Sequence, residues 1–398
     1  MVFKLPPLKW DNITKAGLIN FFSALYFYLP IATLWYQDKG LSLTQVGTLN
    51  GIVTITIFLT NIPTGAMADK IGRKLAIIIA MGLQVLGEVL FLSSQTFWSF
   101  AIVSIVAGLG FSFMSGAFEA LIFDTLKEEK RENEVQKVLG NIISLKGLST
   151  IIGAGVSSLI LSQLTTDRFV LAIVMTIFAV SCGLMVCFSI DEPQRFRQQK
   201  SDNLWRLFSD SFKLIRRNYK LSRLVLLAVL TTPFTAYLIG FYQPWFKNLG
   251  VPGPWFGLTF ALGGFLSLLS SKYAYLLERK LGSVVALLIF TLAPGIFFGL
   301  MSIVFNQTVA IVIFCLNYGS AALQEPLLVD YTNRHIPSEN RATILSFIGT
   351  LSSLYIAVMG PIIGKIADHS LSLAFLSMGI IIVCGAVFFR VKEEHINV

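Results

Sequence analysis

Histidine and cysteine are scarce in this sequence, and the few that occur are badly placed for chemistry. The three histidines, His335, His369 and His395, fall at the ends of apolar runs or in the C-terminal tail. The four cysteines, Cys182, Cys187, Cys315 and Cys384, all lie inside such runs, so free, packed thiols are expected and a disulfide framework is not. No His/Cys cluster has metal-ligand spacing. No nucleophile elbow, phosphate-binding loop or HExxH pattern occurs. The residues therefore argue for no enzyme, no metal and no cofactor. Charge is also thin, at 13% of residues against roughly a quarter in a soluble chain. That excludes an ordinary soluble domain.

What fills the chain instead is apolar: 55% of residues are hydrophobic and Phe alone occurs 33 times. A helix crossing a bilayer needs about 20 mostly apolar residues. Twelve such runs are legible, at 13–36, 43–68, 75–94, 97–123, 138–163, 168–190, 224–246, 253–277, 282–304, 307–330, 342–367 and 370–389. The implied fold class is an all-α integral membrane protein whose solvent is the lipid bilayer. The first run is too long for a signal peptide, so no cleavage is expected.

A formal net charge of +9 raises the question of a nucleic-acid partner, and its location answers it. With both ends on one side, the loops fall into two sets. One set holds 26 of the 31 Lys and Arg, the other holds only Lys39, Arg168, Lys247 and Lys365, and Lys146 lies within a run. By the positive-inside rule both termini are expected in the cytoplasm. The excess charge is an orientation signal, and no nucleic-acid partner is expected.

The chain also repeats itself. "LWYQDKGLSLTQVGTL" at 34–49 matches "PWFKNLGVPGPWFGLT" at 244–259, with Trp35/Trp245, Gly40/Gly250 and Gly47/Gly257 each offset by 210. "FEALIFDTL" at 118–126 carries Glu119 and Asp124, and "QEPLLVDYT" at 324–332 carries Glu325 and Asp330 at the same separation. The expected plan is two pseudo-symmetric six-helix bundles, 1–190 and 224–398, joined by a cytoplasmic linker, 191–223. In that linker Trp205, Phe208, Phe212 and Ile215 are spaced for one apolar face that would lie on the membrane surface. Six helices, a loop and six related helices is a parallel-repeat plan found among secondary transporters.

The loop after the second run reads "GAMADKIGRK", with Gly65, Asp69, Lys70, Gly72, Arg73 and Lys74. It resembles the signature of the major facilitator superfamily: Gly, three residues, Asp, basic, any, Gly, Arg, basic. Together with twelve runs and the half-repeat, the resemblance spans essentially the whole chain. It implies a small-molecule transporter that works by alternating access. Gly65 would let the second helix approach a neighbour closely. Asp69 would sit against a helix N-terminus, which the resemblance makes the eleventh helix near Arg341; a plain cap on the third helix is the simpler alternative. Asp124 resembles the partner of the signature arginine, so Arg73 and Asp124 are expected to latch helices two and four. The alternative is a solvated interfacial acid. In the second half, "LLERKLGS" keeps only Lys280 and Gly282 clearly.

The remaining acids divide by depth. At 1.5 Å per residue Glu119 lies about 10 Å from the cytoplasmic mouth and Lys146 about 12 Å deep on the next, antiparallel helix. A buried Glu119–Lys146 pair is therefore expected, since ionisable residues in membranes pair or line a water-filled cavity. Glu325 has no such lysine, because the equivalent position falls near Ser352 and Ser353. That suits a proton carrier or a binder of cationic solute, with local hydrogen bonding as the plainer alternative. Glu88 stands alone on the third helix, which the resemblance makes peripheral.

Further cavity residues follow from the helices that the resemblance makes central: Tyr26, Tyr28 and Trp35, then Asn50, then Tyr237, Tyr242 and Gln243, then Asn317 and Tyr318. Each residue alone is more often packing than contact. An aromatic pocket with few polar groups suits an amphipathic organic solute. Proton-driven drug exporters of this family carry an Arg four residues before a Gly-x-Gly. Here Gly108 and Gly110 follow Ser104, and the fifth helix has Gly153 and Gly155 without the Gly-Pro of antiporters. The leading expectation is proton-coupled efflux by a monomer in a bacterial inner membrane. An uptake symporter, a lipid flippase and a non-transporting sensor remain alternatives.

Overall fold

Several helices among the described residues start or stop at a residue whose chemistry dictates it. The structure is a computed structural model and describes residues 10–193, 204–337 and 341–396. Asp11 accepts from the amide of Thr14 and opens α1 (Asn12–Ser23), which is followed after a break by α2 (Ala32–Asp38). Ser42 and Gln45 form a reciprocal capping box at the head of α3 (Leu43–Ile71). Next come α4 (Arg73–Ser93), α5 (Phe97–Glu128) with a Thr96/Ser99 capping box, α6 (Val135–Ile160) and α7 (Thr166–Phe188). The second half holds α8 (Leu204–Arg217), α9 (Tyr219–Thr231), α10 (Phe234–Asn248), α11 (Pro254–Leu281) and α12 (Ser283–Met301). It ends with α13 (Gln307–Arg334), α14 (Arg341–His369), α15 (Leu371–Phe388) and the short α16 (Glu393–Ile396).

The repeat read from the sequence has a backbone cause. Gly40 and Gly250 have φ of +79° and +72°, and Gly72 and Gly282 have +107° and +80°. Side chains rarely tolerate that region, so each half keeps glycine at the same two exits from a helix.

Eleven helices of the described residues are long and apolar enough to cross a membrane. The twelfth crossing is the first, and here the expected continuous helix over 13–36 is wrong. The backbone leaves the helix after Ser23 and resumes regular helix only at Ala32. Pro30 lacks an amide proton and disfavours helix in the residue before it, which explains the interruption. An unsatisfied amide at membrane depth costs several kcal/mol, so such a break survives only inside protein. Thr176 of α7 supplies one partner, its Oγ1 accepting from the Phe27 amide at 3.0 Å. The repeat recurs here too, because Pro233 separates α9 from α10 in the seventh crossing. That crossing begins at Tyr219, five residues before the expected 224.

Within the halves α4 packs on α5 and α7, and α12 on α13 and α15; between them α3 lies along α14 and α6 along α11. Trp35, Phe91, Phe100 and Phe169 knit the first half, and Tyr242, Phe246, Phe256 and Phe314 the second. Trp98, Leu159, Phe178 and Phe388 stay exposed, a surface that only lipid would cover cheaply. The four cysteines are free; Cys384 is exposed on α15 rather than packed. In the linker Ile215 packs with Leu221, Val225 and Ile344, whereas Phe212 is exposed. The side chains of Trp205 and Phe208 lie outside the described residues.

Candidate functional site

The side of the molecule that holds Asn12, Asp191 and α16 carries most of the basic residues and is called the basic side below. Its centre is the signature loop. Gly72 turns the chain so that Arg73, the first residue of α4, points back into the bundle. Arg73 Nη1 donates to Asp69 at 2.5 Å and Nε to Asp124 at 3.4 Å, with Arg73 and Asp124 both buried. The structure therefore brings together Arg73, Asp69 and Asp124. The cap on α4 is not Asp69. Glu192, from the start of the linker, accepts from the amides of Arg73 and Lys74 at 2.8 Å each. Beside it Lys15 donates to Asp191 at 2.6 Å, and that bond with the lysine's charge holds the Asp191 carboxyl below the usual range. The expected contact of Asp69 with the start of the eleventh crossing adjoins residues 338–340, outside the described residues. Gly65 makes no close approach: among the described residues nothing lies within 4 Å of where a Cβ on Gly65, or on Gly349 of α14, would stand. In the second half Glu278 accepts from Tyr331 and Ser283 instead, and Asp330 pairs with Arg334 on the surface.

The opposite side is sealed. A Cβ on Gly47 of α3 would run into the carbonyl of Gly360 on α14, and one on Gly257 of α11 into that of Ala154 on α6. Asp368, at the end of α14, accepts from the Leu43 amide at 2.6 Å, the Thr44 amide at 3.0 Å and Thr44 Oγ1 at 2.6 Å. A third contact crosses at the break. Gln243 of α10 accepts from the Thr33 amide at 2.7 Å and donates to Leu29 O at 3.1 Å, while Tyr242 Oη donates to Pro30 O at 3.0 Å. The halves are thus joined on the opposite side, whereas among the described residues no neighbour comes within 4 Å of a Cβ placed at Gly65 or Gly349.

Between these ends Glu325 lines a cavity of about 280 Å³ with Thr232, Thr235, Ser267, Tyr318, Ala321 and Ala322. The break between α9 and α10 places the two threonines there. On α5 the equivalent stripe is Ser115, Gly116 and Glu119, all exposed. The expected buried Glu119–Lys146 pair is absent, and no ion pair joins them among the described residues. Lys146 is exposed: Ile142 and Ser149 mark the buried face of α6, which packs on α1 and α11. Equal depth was legible in the sequence, but the facing side of the helix was not.

Other expected cavity residues divide. Tyr318 lines the cavity, but Asn317, one step and 100° away on the same helix, is fully buried against Met301. Tyr237 is buried and donates to Ile356 O at 2.7 Å, tying α10 to α14. Asn50 is exposed on α3. Tyr26 is half-buried and accepts from Gln84 Nε2 at 2.9 Å, and Gln84 also donates to Ser23 O at 2.8 Å. Glu88, set aside as peripheral, is buried and accepts from Tyr28 Oη at 2.8 Å. The missed residues Glu192, Asp368 and Gln84 act across helices. Their only signal was a polar residue at the end or in the middle of an apolar run.

A family model described as Major Facilitator Superfamily matches residues 16–361. The chain belongs to the major facilitator superfamily. It is similar to the "Uncharacterized MFS-type transporter YxaM" of Bacillus subtilis (strain 168), 22% identical over 388 residues, 94% of this chain and 95% of that protein. Its fold is similar to that of the nucleoside transporter NupG, with a TM-score of 0.79 and 11% identity over 96% of this chain and 100% of that one. A bacterial homolog of the human lysosomal transporter Spinster, inward-facing and unoccupied, gives a TM-score of 0.74 and 15% identity over 97% and 96%. The chain is accordingly a multi-pass membrane transporter of small molecules, and not an enzyme.

Proposed function

We propose that this transporter exports a small amphipathic organic solute across a bacterial inner membrane in exchange for protons. The observation that carries the reading is the cavity wall at Glu325, where one carboxylate stands with three hydroxyl groups, the ring of Tyr318 and the methyl groups of Ala321 and Ala322. A solute with a positive charge or several hydrogen-bond donors, joined to an apolar body, matches that wall. Glu325 can hold a proton or the solute, and binding of one then expels the other. With the basic side in the cytoplasm, the described state is inward-facing, and the cavity receives solute from inside the cell. The units that rock are 1–190 and 224–398, linked by 191–223, and a monomer suffices for the cycle. Glu119, at the position of α5 equivalent to Glu325, and Lys146 are both exposed, and each is a further candidate for a polar contact with the solute.

The test is flux in proteoliposomes loaded with solutes chosen by a thermal-shift screen of organic cations, nucleosides, sugars, amino acids and lipids. Export driven by an imposed inward proton gradient, with measurable counter-movement of protons, is expected. Solute uptake down the same gradient would make the chain a symporter, and no flux with retained binding would make it a sensor.

A further inference from the structure

The first crossing is broken where its side chains meet a buried acid that the transport reading above does not use. Glu88 lies on α4 about 22 Å from Arg73 along the helix, toward the opposite side. It is 7% exposed, its carboxylate accepts from Tyr28 Oη, and no ion pair reaches it among the described residues. The titratable groups that face it are Tyr26, Tyr28 and Tyr36, all from the first crossing. On the helices packed around α4, Asp69 and Lys70 of α3 and Glu119, Asp124, Lys127 and Glu128 of α5 lie toward the basic side. Asp167 and Arg168 at the head of α7, and Lys39 with its partner Asp38 after Trp35, lie on the same side as Glu88 but form no ion pair with it among the described residues. Tyr28 is fixed by stacking on Phe91, with ring centroids 4.9 Å apart, and by an edge contact with Tyr26 at 5.5 Å.

Directly after Tyr28 come Leu29 and Pro30, whose carbonyls accept from Gln243 and Tyr242 of the other half. One hydrogen bond and one residue of backbone thus separate a buried carboxyl from the seal between the halves. We propose that Glu88 is a proton-binding site that controls the opposite-side seal through Tyr28. With its proton in place the carboxyl is neutral and the break stays packed. When the proton leaves, the charge has the phenols of Tyr28 and Tyr26 as donors but no cation. A buried unpaired charge is costly, so parting the halves, which admits water to the break, becomes favourable. Proton binding at Glu88 then closes the opposite side, and proton loss opens it. The site rests on the proton-coupled reading but is separate from Glu325, which contacts the cavity.

The experiment uses the full chain in lipid, with the four native cysteines replaced by serine and spin labels at Gln95→Cys and Asn248→Cys, exposed positions on the opposite side of the two halves. Electron–electron distances are recorded without solute from pH 5 to 9. The wild-type background should shift to a longer distance as pH rises. Glu88→Gln, which keeps an acceptor for Tyr28, should hold the short distance throughout. Tyr28→Phe removes one of the two phenols that hold the carboxylate, leaving Tyr26, and should enlarge the long-distance population at high pH. Glu325→Gln should keep the pH response. The assignment is overturned if the background shows no pH response, if Glu88→Gln responds as the background does, or if Tyr28→Phe leaves the high-pH population unchanged. If Glu325→Gln alone removes the response, proton coupling stands and the site is Glu325.

Discussion

The carboxylate of Asp368, the second-last residue of α14, caps the N-terminus of α3 in the other half, 2.6 Å from the Leu43 amide. Ser42 already caps α3 from its own chain segment, so Asp368 adds a cap whose only structural gain is to hold two halves together. It does so where Gly47 and Gly360 let the backbones touch. A negative charge at a helix N-terminus contributes on the order of 1 kcal/mol, or about fivefold in an equilibrium. Asp368→Asn should therefore raise the fraction of molecules open on the opposite side about fivefold. Alkylation of a cysteine placed at Leu43 by a membrane-impermeant reagent measures it. An unchanged rate would mean that the glycine contacts suffice.

On the basic side, Arg73 joins two acids that differ in exposure, Asp69 near the surface and Asp124 buried. Arg73→Ala strands Asp124 and should cost about 3 kcal/mol, the lower end for breaking a buried pair. Arg73→Ala with Asp124→Ala removes the stranded charge, so its melting temperature in detergent should lie above that of Arg73→Ala alone. Strictly additive losses would show that the two residues do not act as one network.

Much of this architecture is legible in the sequence because bilayer physics is local. Twenty apolar residues must be a helix, and basic loops must share a side. The glycines at 40, 72, 250 and 282 announce the repeat because each serves a backbone angle that other residues avoid. What failed was whatever depends on the facing side of a helix. Glu119 and Lys146 share a depth but not a direction, and Asn317 turns away from the cavity that Tyr318 enters. The break in the first crossing had a signal, Pro30 after a tyrosine-rich stretch, but a single proline often sits inside a membrane helix, as Pro63 does in α3. Capping by Glu192 and Asp368 joins residues more than a hundred positions apart, which no periodicity contains.

The C-terminal turn supplies a pH prediction outside the membrane. Burial, and next the charge of Arg223, hold the His395 ring below the usual histidine range. Its Nδ1 accepts from the Lys392 amide at 2.8 Å, which requires that nitrogen to be unprotonated. A histidine that stays neutral in the fold adds stability above its unfolded value of about 6.5. That stability is lost as pH falls through the lower folded value. Protease cleavage after Val391 should accelerate as pH falls below the unfolded value of about 6.5, and His395→Gln should flatten the profile. Acceleration as pH rises would refute the assigned charge state.

Glu325 yields the prediction that bears most directly on transport. Its side chain is exposed to the cavity, so a substitution strands no buried partner, and surface changes of this kind cost within about 0.5 kcal/mol. Glu325→Gln should fold and melt like the wild type. It keeps a hydrogen-bonding acceptor but holds no titrating proton, so gradient-driven extrusion should stop while solute exchange at equal pH continues. If exchange and binding disappear together, the carboxylate is a solute ligand and the coupling proton binds elsewhere, with Glu88 the next acid to test. If extrusion and exchange both persist, the cavity wall at Glu325 is not where the solute and the proton compete.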